Sequence, residues 1–225
     1  MQSESPFNAV PLVPLAIVAA CVLIEIVFQL AGRGIIGGDT APAWRSNAWQ
    51  DFAFAPAVVT EIFERGRGSF DLWKRFLTYP FFHVSGQHLI FAAVLMLALG
   101  KFVGEKLNPF AFAILFFVSS ALGALVYGLI SPRNVSLVGL YPGVYGLIGA
   151  YTYMMWLALG RMGENQLKAF QLIGVLMGLL LVYSMIFGTS PTWIAEVAGF
   201  VIGLTLAPLV APGGWRAFLA RMRQR

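Results

Sequence analysis

Six long apolar runs, each about the length needed to bridge the hydrocarbon of a bilayer, constrain this chain more than any other feature. They cover about residues 9–31, 82–103, 109–130, 135–159, 169–187 and 193–210. A spanning helix needs roughly 20 apolar residues. Inside lipid, only helices and closed barrels satisfy every backbone N–H and C=O. The runs are continuously apolar over helical lengths and do not alternate, so they predict helices. Composition agrees: 59% of residues are hydrophobic and 11% are charged, against about 45–50% and about 25% in a soluble domain. The expected fold is an all-α polytopic membrane protein, a bundle of six transmembrane helices with a long structured first loop.

The organisation follows from the spacing of the runs. Residues 1–8 form an amino-terminal tail, 9–211 a membrane domain whose first loop covers about 32–80, and 212–225 a basic tail. Residues 1–6 carry Glu4 and no basic residue, so the first run reads as retained and not as a cleaved signal. The loop holds Asp39, Asp51, Glu61, Glu64 and Asp71, with weak helical patterning around 57–65. It is too long for a turn. The single cysteine, Cys21, lies inside the first run and reads as a buried thiol.

Charge placement gives orientation. Lys101 and Lys106 lie between the second and third runs, Arg161 and Lys168 between the fourth and fifth, and Arg216, Arg221, Arg223 and Arg225 in the tail. Short basic loops stay on the cytoplasmic side, which puts both termini there. A multi-pass protein of a bacterial inner membrane is the expected setting. The net charge of +5 is spread through short loops and the tail. Anionic lipid headgroups are therefore the expected counterpart, and nucleic acid is not.

Small residues recur at helical spacing in two runs: Gly139, Gly143, Gly146 and Gly149 in the fourth, and Ala195, Gly199 and Gly203 in the sixth. Such stripes let helix backbones approach closely in lipid. Two acids, Glu25 and Glu196, interrupt otherwise apolar runs. Each must be neutral, face water or find a partner, because a bare charge there is costly. Glu25 could bond a neighbouring helix or contact a partner protein.

The stretch from Leu72-Trp73-Lys74-Arg75 through Phe81-Phe82-His83 to His88-Leu89-Ile90-Phe91 resembles the rhomboid family. So do the segments 138–150, which resembles that family's active-site helix, and 195–203, which resembles its last helix. The resemblance covers about residues 72–204, in order and with consistent spacing, and implies the rhomboid fold and an intramembrane serine protease ancestry. It places Trp73, Arg75 and His83 in a loop signature, with Trp73 and Arg75 read as anchors at the membrane interface. His88 falls in the family's oxyanion region.

The resemblance also implies that the reacting residues are gone. Tyr141 stands where the family's serine belongs, Pro142 on the glycine after it, Glu196 at the histidine and Ala92 at the oxyanion asparagine. A phenol with a pKa near 10 is a poor substitute nucleophile, and Pro142 cannot supply a backbone N–H donor. The hydroxyls of Ser119, Ser120, Ser136 and Ser184 pair with neither histidine by motif. The two histidines are five residues apart, which does not set both rings on one helix face, so neither a metal nor a cofactor is expected.

The implied function is that of a pseudoprotease binding transmembrane segments of client or partner proteins without cleaving them. Two readings of its altered site stay open. Tyr141 and Glu196 could hydrogen-bond as a structural lock, or Glu196, Tyr141, His88 and Pro142 could line a wet cavity for a polar group on a client helix. The rivals are an active protease with a non-standard site, a structural subunit of a larger membrane complex, and a small transporter or channel subunit. The last would carry paired inverted repeats, which are not apparent.

Overall fold

The computed structural model of the chain describes residues 10–132, 134–187 and 190–211. The tail 212–225 with its arginines, residues 1–9, Arg133 and the Ser184 side chain lie outside the described residues.

Six long helices account for the six apolar runs. They are α1 (Leu12–Gly32), α6 (Gly86–Gly104), α7 (Pro109–Ile130), α8 (Tyr141–Arg161), α9 (Gln171–Phe187) and α10 (Trp193–Val210). The long loop is folded into shorter pieces: α2 (Trp44–Phe52), α3 (Pro56–Val59), α4 (Phe70–Trp73) and α5 (Arg75–Thr78). Among the described residues there is no strand, only an isolated bridge between Phe54 and Leu137. The protein is an all-α polytopic membrane bundle with a structured first loop.

Local chemistry starts the helices where they start. The Ser85 hydroxyl caps α6 by accepting from the His88 N–H at 3.3 Å, and the Asn108 carboxamide caps α7 by accepting from the Ala111 N–H at 2.8 Å. Each cap satisfies one of the orphan donors of a first helical turn. In α8, Pro142 takes the second helical position, where a missing N–H removes no intrahelical bond.

Four of the six, α1, α6, α7 and α10, are long and apolar enough to cross a membrane by themselves. Helix α9 has 17 residues. Helix α8 carries tyrosines, glycines and a threonine, and it is the central element, with residues 142–150 all buried. A helix screened from lipid by its neighbours needs no lipid-grade hydropathy. Helices α7 and α10 pack on α8, α6 packs on another side of it, and α1 lies against α6. Helix α9 packs against α8 and the 3₁₀ turn Gln166–Phe170.

The fourth run is helical only from Tyr141. Residues 135–140 are non-helical, with the Leu137 N–H donating to the Phe54 carbonyl at 2.6 Å and Phe54 N–H returning a bond at 3.2 Å. Apolar composition alone does not reveal that these backbone groups bond to the long loop. Gly139 therefore does not belong to the helical small-residue stripe. It has a φ of 101°, a conformation open to glycine. A side chain there would also strike His88, whose Cε1 lies 2.7 Å from the position a Cβ would take.

Candidate functional site

Helices α8 and α10 run parallel and touch backbone to backbone. A Cβ on Gly199 would overlap the Pro142 carbonyl, and a Cβ on Gly203 would overlap the Gly146 carbonyl one turn further along. The two contacts share one register, four residues apart on both helices. Gly149 faces Phe200 and Gly203 in the same crossing, while Gly143 and Gly146 face Phe116, Ser119 and Ser120 of α7. The Ala195 carbonyl lies against Gly123. In lipid such close approach supplies the dispersion contacts that the hydrophobic effect does not.

This crossing carries Glu196, in the first turn of α10, to the tyrosines of α8. Its side-chain hydrogen bond is with the Tyr145 hydroxyl, which donates. The expected Tyr141–Glu196 bond is thus corrected: the partner is one turn further along α8. The reason lies in how helical side chains point. They lean back over the turn N-terminal to their own Cα. That lean lifts the Tyr145 hydroxyl to the level of Glu196. The same lean carries Tyr141 past the helix end and onto His88, with ring centroids 4.9 Å apart.

His88 in turn lies 5.5 Å from His83, centroid to centroid, so the loop and the first turn of α6 bring the two imidazoles together although their sequence spacing would not on a helix. Residues 82–85 are not helical, which frees His83 from that spacing. His83 is 1% exposed. Neither of its ring nitrogens, nor Nδ1 of His88, has a hydrogen-bonding partner among the described residues. Burial pushes the His83 imidazole from its ordinary 6.5 down to about 4, because the charged form loses its hydration. It is a neutral ring at physiological pH. Ala92, one turn after His88 on α6, is fully buried and brings no polar atom.

The remaining candidates serve the frame. The Arg75 guanidinium donates to the carbonyls of Ala53 at 3.1 Å, Asp71 at 3.3 Å and Gln50, drawing α2 and α4 to α5. Trp73 stays half-exposed and meets Phe63 and Phe76, each at 5.8 Å. Ser120 donates to the Phe116 carbonyl at 2.9 Å, and its own carbonyl accepts from Tyr79 at 2.9 Å. Ser119 is buried between α7 and α8, and Ser136 is exposed. Among the described residues no group of three or more metal-ligating side chains occurs.

Two functional contacts escaped the sequence. Tyr145 had a signal, since it lies four residues from Tyr141 and so shares its helix face. The second is the partner of Glu25. Arg45 of α2 donates to both carboxylate oxygens, at 2.8 and 2.9 Å, and Gln29 adds a third bond at 2.8 Å. The same guanidinium donates to the His83 carbonyl at 2.8 Å. An acid in a span announces that it needs a partner, but nothing in the linear order singles out Arg45 among the loop's bases.

A model of the rhomboid domain matches residues 70–213, well over half of the chain. The chain belongs to the rhomboid family. The rhomboid match begins at the first residue of α4 and takes in α6 to α10, so it includes His83, His88, Tyr141, Tyr145 and Glu196, and it leaves α1 and Arg45 outside. The chain is also similar to Rhomboid-like protease 3 of Toxoplasma gondii, 27% identical over 157 residues, covering 68% of this chain and 54% of that protein. This chain spans about half the length of that relative.

Proposed function

We propose that this rhomboid-family chain is a pseudoprotease, which binds transmembrane segments of client or partner proteins and does not cleave them. The observation that carries the reading is the Glu196–Tyr145 bond. It uses, for a neutral phenol and a carboxyl, the face of the α8–α10 crossing where rhomboid chemistry requires a serine and its base. By its motif resemblance Tyr141 takes the serine position. Its ring lies against the His88 imidazole, and a phenol is a poor nucleophile. Ala92 offers no donor for an oxyanion, and Pro142 has no N–H.

The bundle that remains is suited to binding. It holds a carboxyl and two phenols at a crossing of closely packed helices, and the setting proposed for it is a bacterial inner membrane with both termini on the cytoplasmic side. That the similar Toxoplasma protein is named a protease speaks for that protein.

The test is cleavage of a helix-destabilised transmembrane reporter by the purified chain in lipid vesicles. Beside it runs the variant Tyr141→Ser, Pro142→Gly, Glu196→His, Ala92→Asn. The natural chain should give no product and should still crosslink to the reporter. Product from the natural chain would overturn the reading.

A further inference from the structure

The two acids within the spanning helices are treated differently. Glu25 is buried, gripped by both guanidinium arms of Arg45 and bonded again by Gln29. Its charge is fully answered inside the protein. Glu196 is half-buried, and its side-chain partner is the phenol of Tyr145. The ion pairs among the described residues join Arg45 to Glu25, Arg65 and Arg67 to Glu61, Lys74 to Asp71, and Lys168 to Glu164. None includes Glu196.

A carboxyl has about four acceptor positions, and one phenol answers one of them. A second phenol, that of Tyr141, also stands near this carboxyl, with its ring on His88. A carboxyl in a spanning helix, with two phenols near it and no ion pair among the described residues, is complementary to a basic side chain arriving from outside.

We propose that Glu196 is the recognition point for a lysine or arginine carried within the membrane-spanning segment of a client, at the depth of the first turn of α10. The proposal rests on the client-binding reading above and names the chemistry of that client. A basic residue in an isolated spanning helix is costly to leave unpaired. A segment that carries one therefore gains by reaching a carboxyl. Whether the proton starts on the amine or on the carboxyl, the pair ends as ammonium and carboxylate, and no other reactant is consumed. The site would thus select segments left with an unpaired cation and ignore those that are apolar throughout.

The experiment uses the full chain in phosphatidylcholine vesicles and a photo-crosslinking Leu-Ala spanning peptide. The peptide carries Lys, Met or Glu at the depth of Glu196. Capture of the Lys peptide should exceed capture of the Met peptide by about tenfold, equivalent to about 1.4 kcal/mol, and the Glu peptide should be captured least. In Glu196→Gln, which keeps an acceptor for Tyr145, Lys capture should fall to the Met level. Equal capture of Lys and Met peptides by the natural chain would overturn the proposal and leave the client-binding reading standing. No capture of any peptide would overturn both. The peptide series on the natural chain needs no variant to fold, and a Lys preference that persists in Glu196→Gln would overturn the proposal equally.

Discussion

Arg45 holds Glu25 by two parallel hydrogen bonds, and through the same guanidinium it holds the His83 carbonyl. One side chain of the long loop thereby fixes α1 and the segment that sets His83 beside His88. Bidentate pairing of this kind is charge-assisted and directional.

Removing either partner leaves a charge in a poorly hydrated place. Arg45→Met or Glu25→Met should each cost about 2–3 kcal/mol, at or below the lower end of the range for a broken buried pair because the Arg45 side chain is 24% exposed. The double variant should cost less than the sum of the two. Thermal unfolding in detergent micelles reads this, and additive losses would contradict the shared bond.

The α8–α10 crossing has no room for a methyl group. Gly199→Ala and Gly203→Ala each drive a Cβ into a backbone carbonyl of α8, so each should lower stability by about 1–3 kcal/mol, as overpacking does. Gly174 and Gly178 on α9 meet nothing within 4 Å of a built Cβ. Alanine there should be neutral or stabilise by about 0.5–1 kcal/mol through a stiffer helix. Melting temperatures of the four variants check both halves.

The Glu196 partner is open to a coupling measurement. Tyr145→Phe combined with Glu196→Gln should show a coupling of about 0.5–1.5 kcal/mol, the range for hydrogen bonds between membrane helices. Tyr141→Phe with Glu196→Gln should be additive within about 0.3–0.5 kcal/mol. Coupling to Tyr141 in place of Tyr145 would return the bond to the earlier expectation.

His83 gives the protein a pH dependence of known sign. Its folded value of about 4 lies below the ordinary 6.5, so between these values the unfolded chain binds the extra proton. The contribution is fully present above pH 6.5 and is lost as pH falls towards 4. Burial is the largest influence on this ring; His88 and Arg45 push the same way, and Glu25 and the Phe81 backbone oppose it. The natural chain should lose about 2–3 kcal/mol more than His83→Gln across that window. Parallel slopes in the two unfolding curves would show that His83 does not titrate in the unfolded state alone.

Much of this was legible along the chain. The runs 109–130 and 193–210 coincide with α7 and α10 to the residue, since lipid asks only that a segment be apolar and long enough, a property of local composition. The loop signature, the histidines and the glycine spacings carried the family, because their order and distance are linear quantities. The start of α8 was not legible, because Leu137 is as apolar as a helical residue while its backbone bonds to Phe54.

The sequence by itself determined the solvent, the number of long helices and the family. Only the tertiary structure decided that Glu196 answers to Tyr145, that Glu25 answers to Arg45, and that Gly139 leaves the helix to make room for His88. Those choices depend on the register of one helix against another and on the lean of each side chain, and neither is written in the spacing of residues along a single chain.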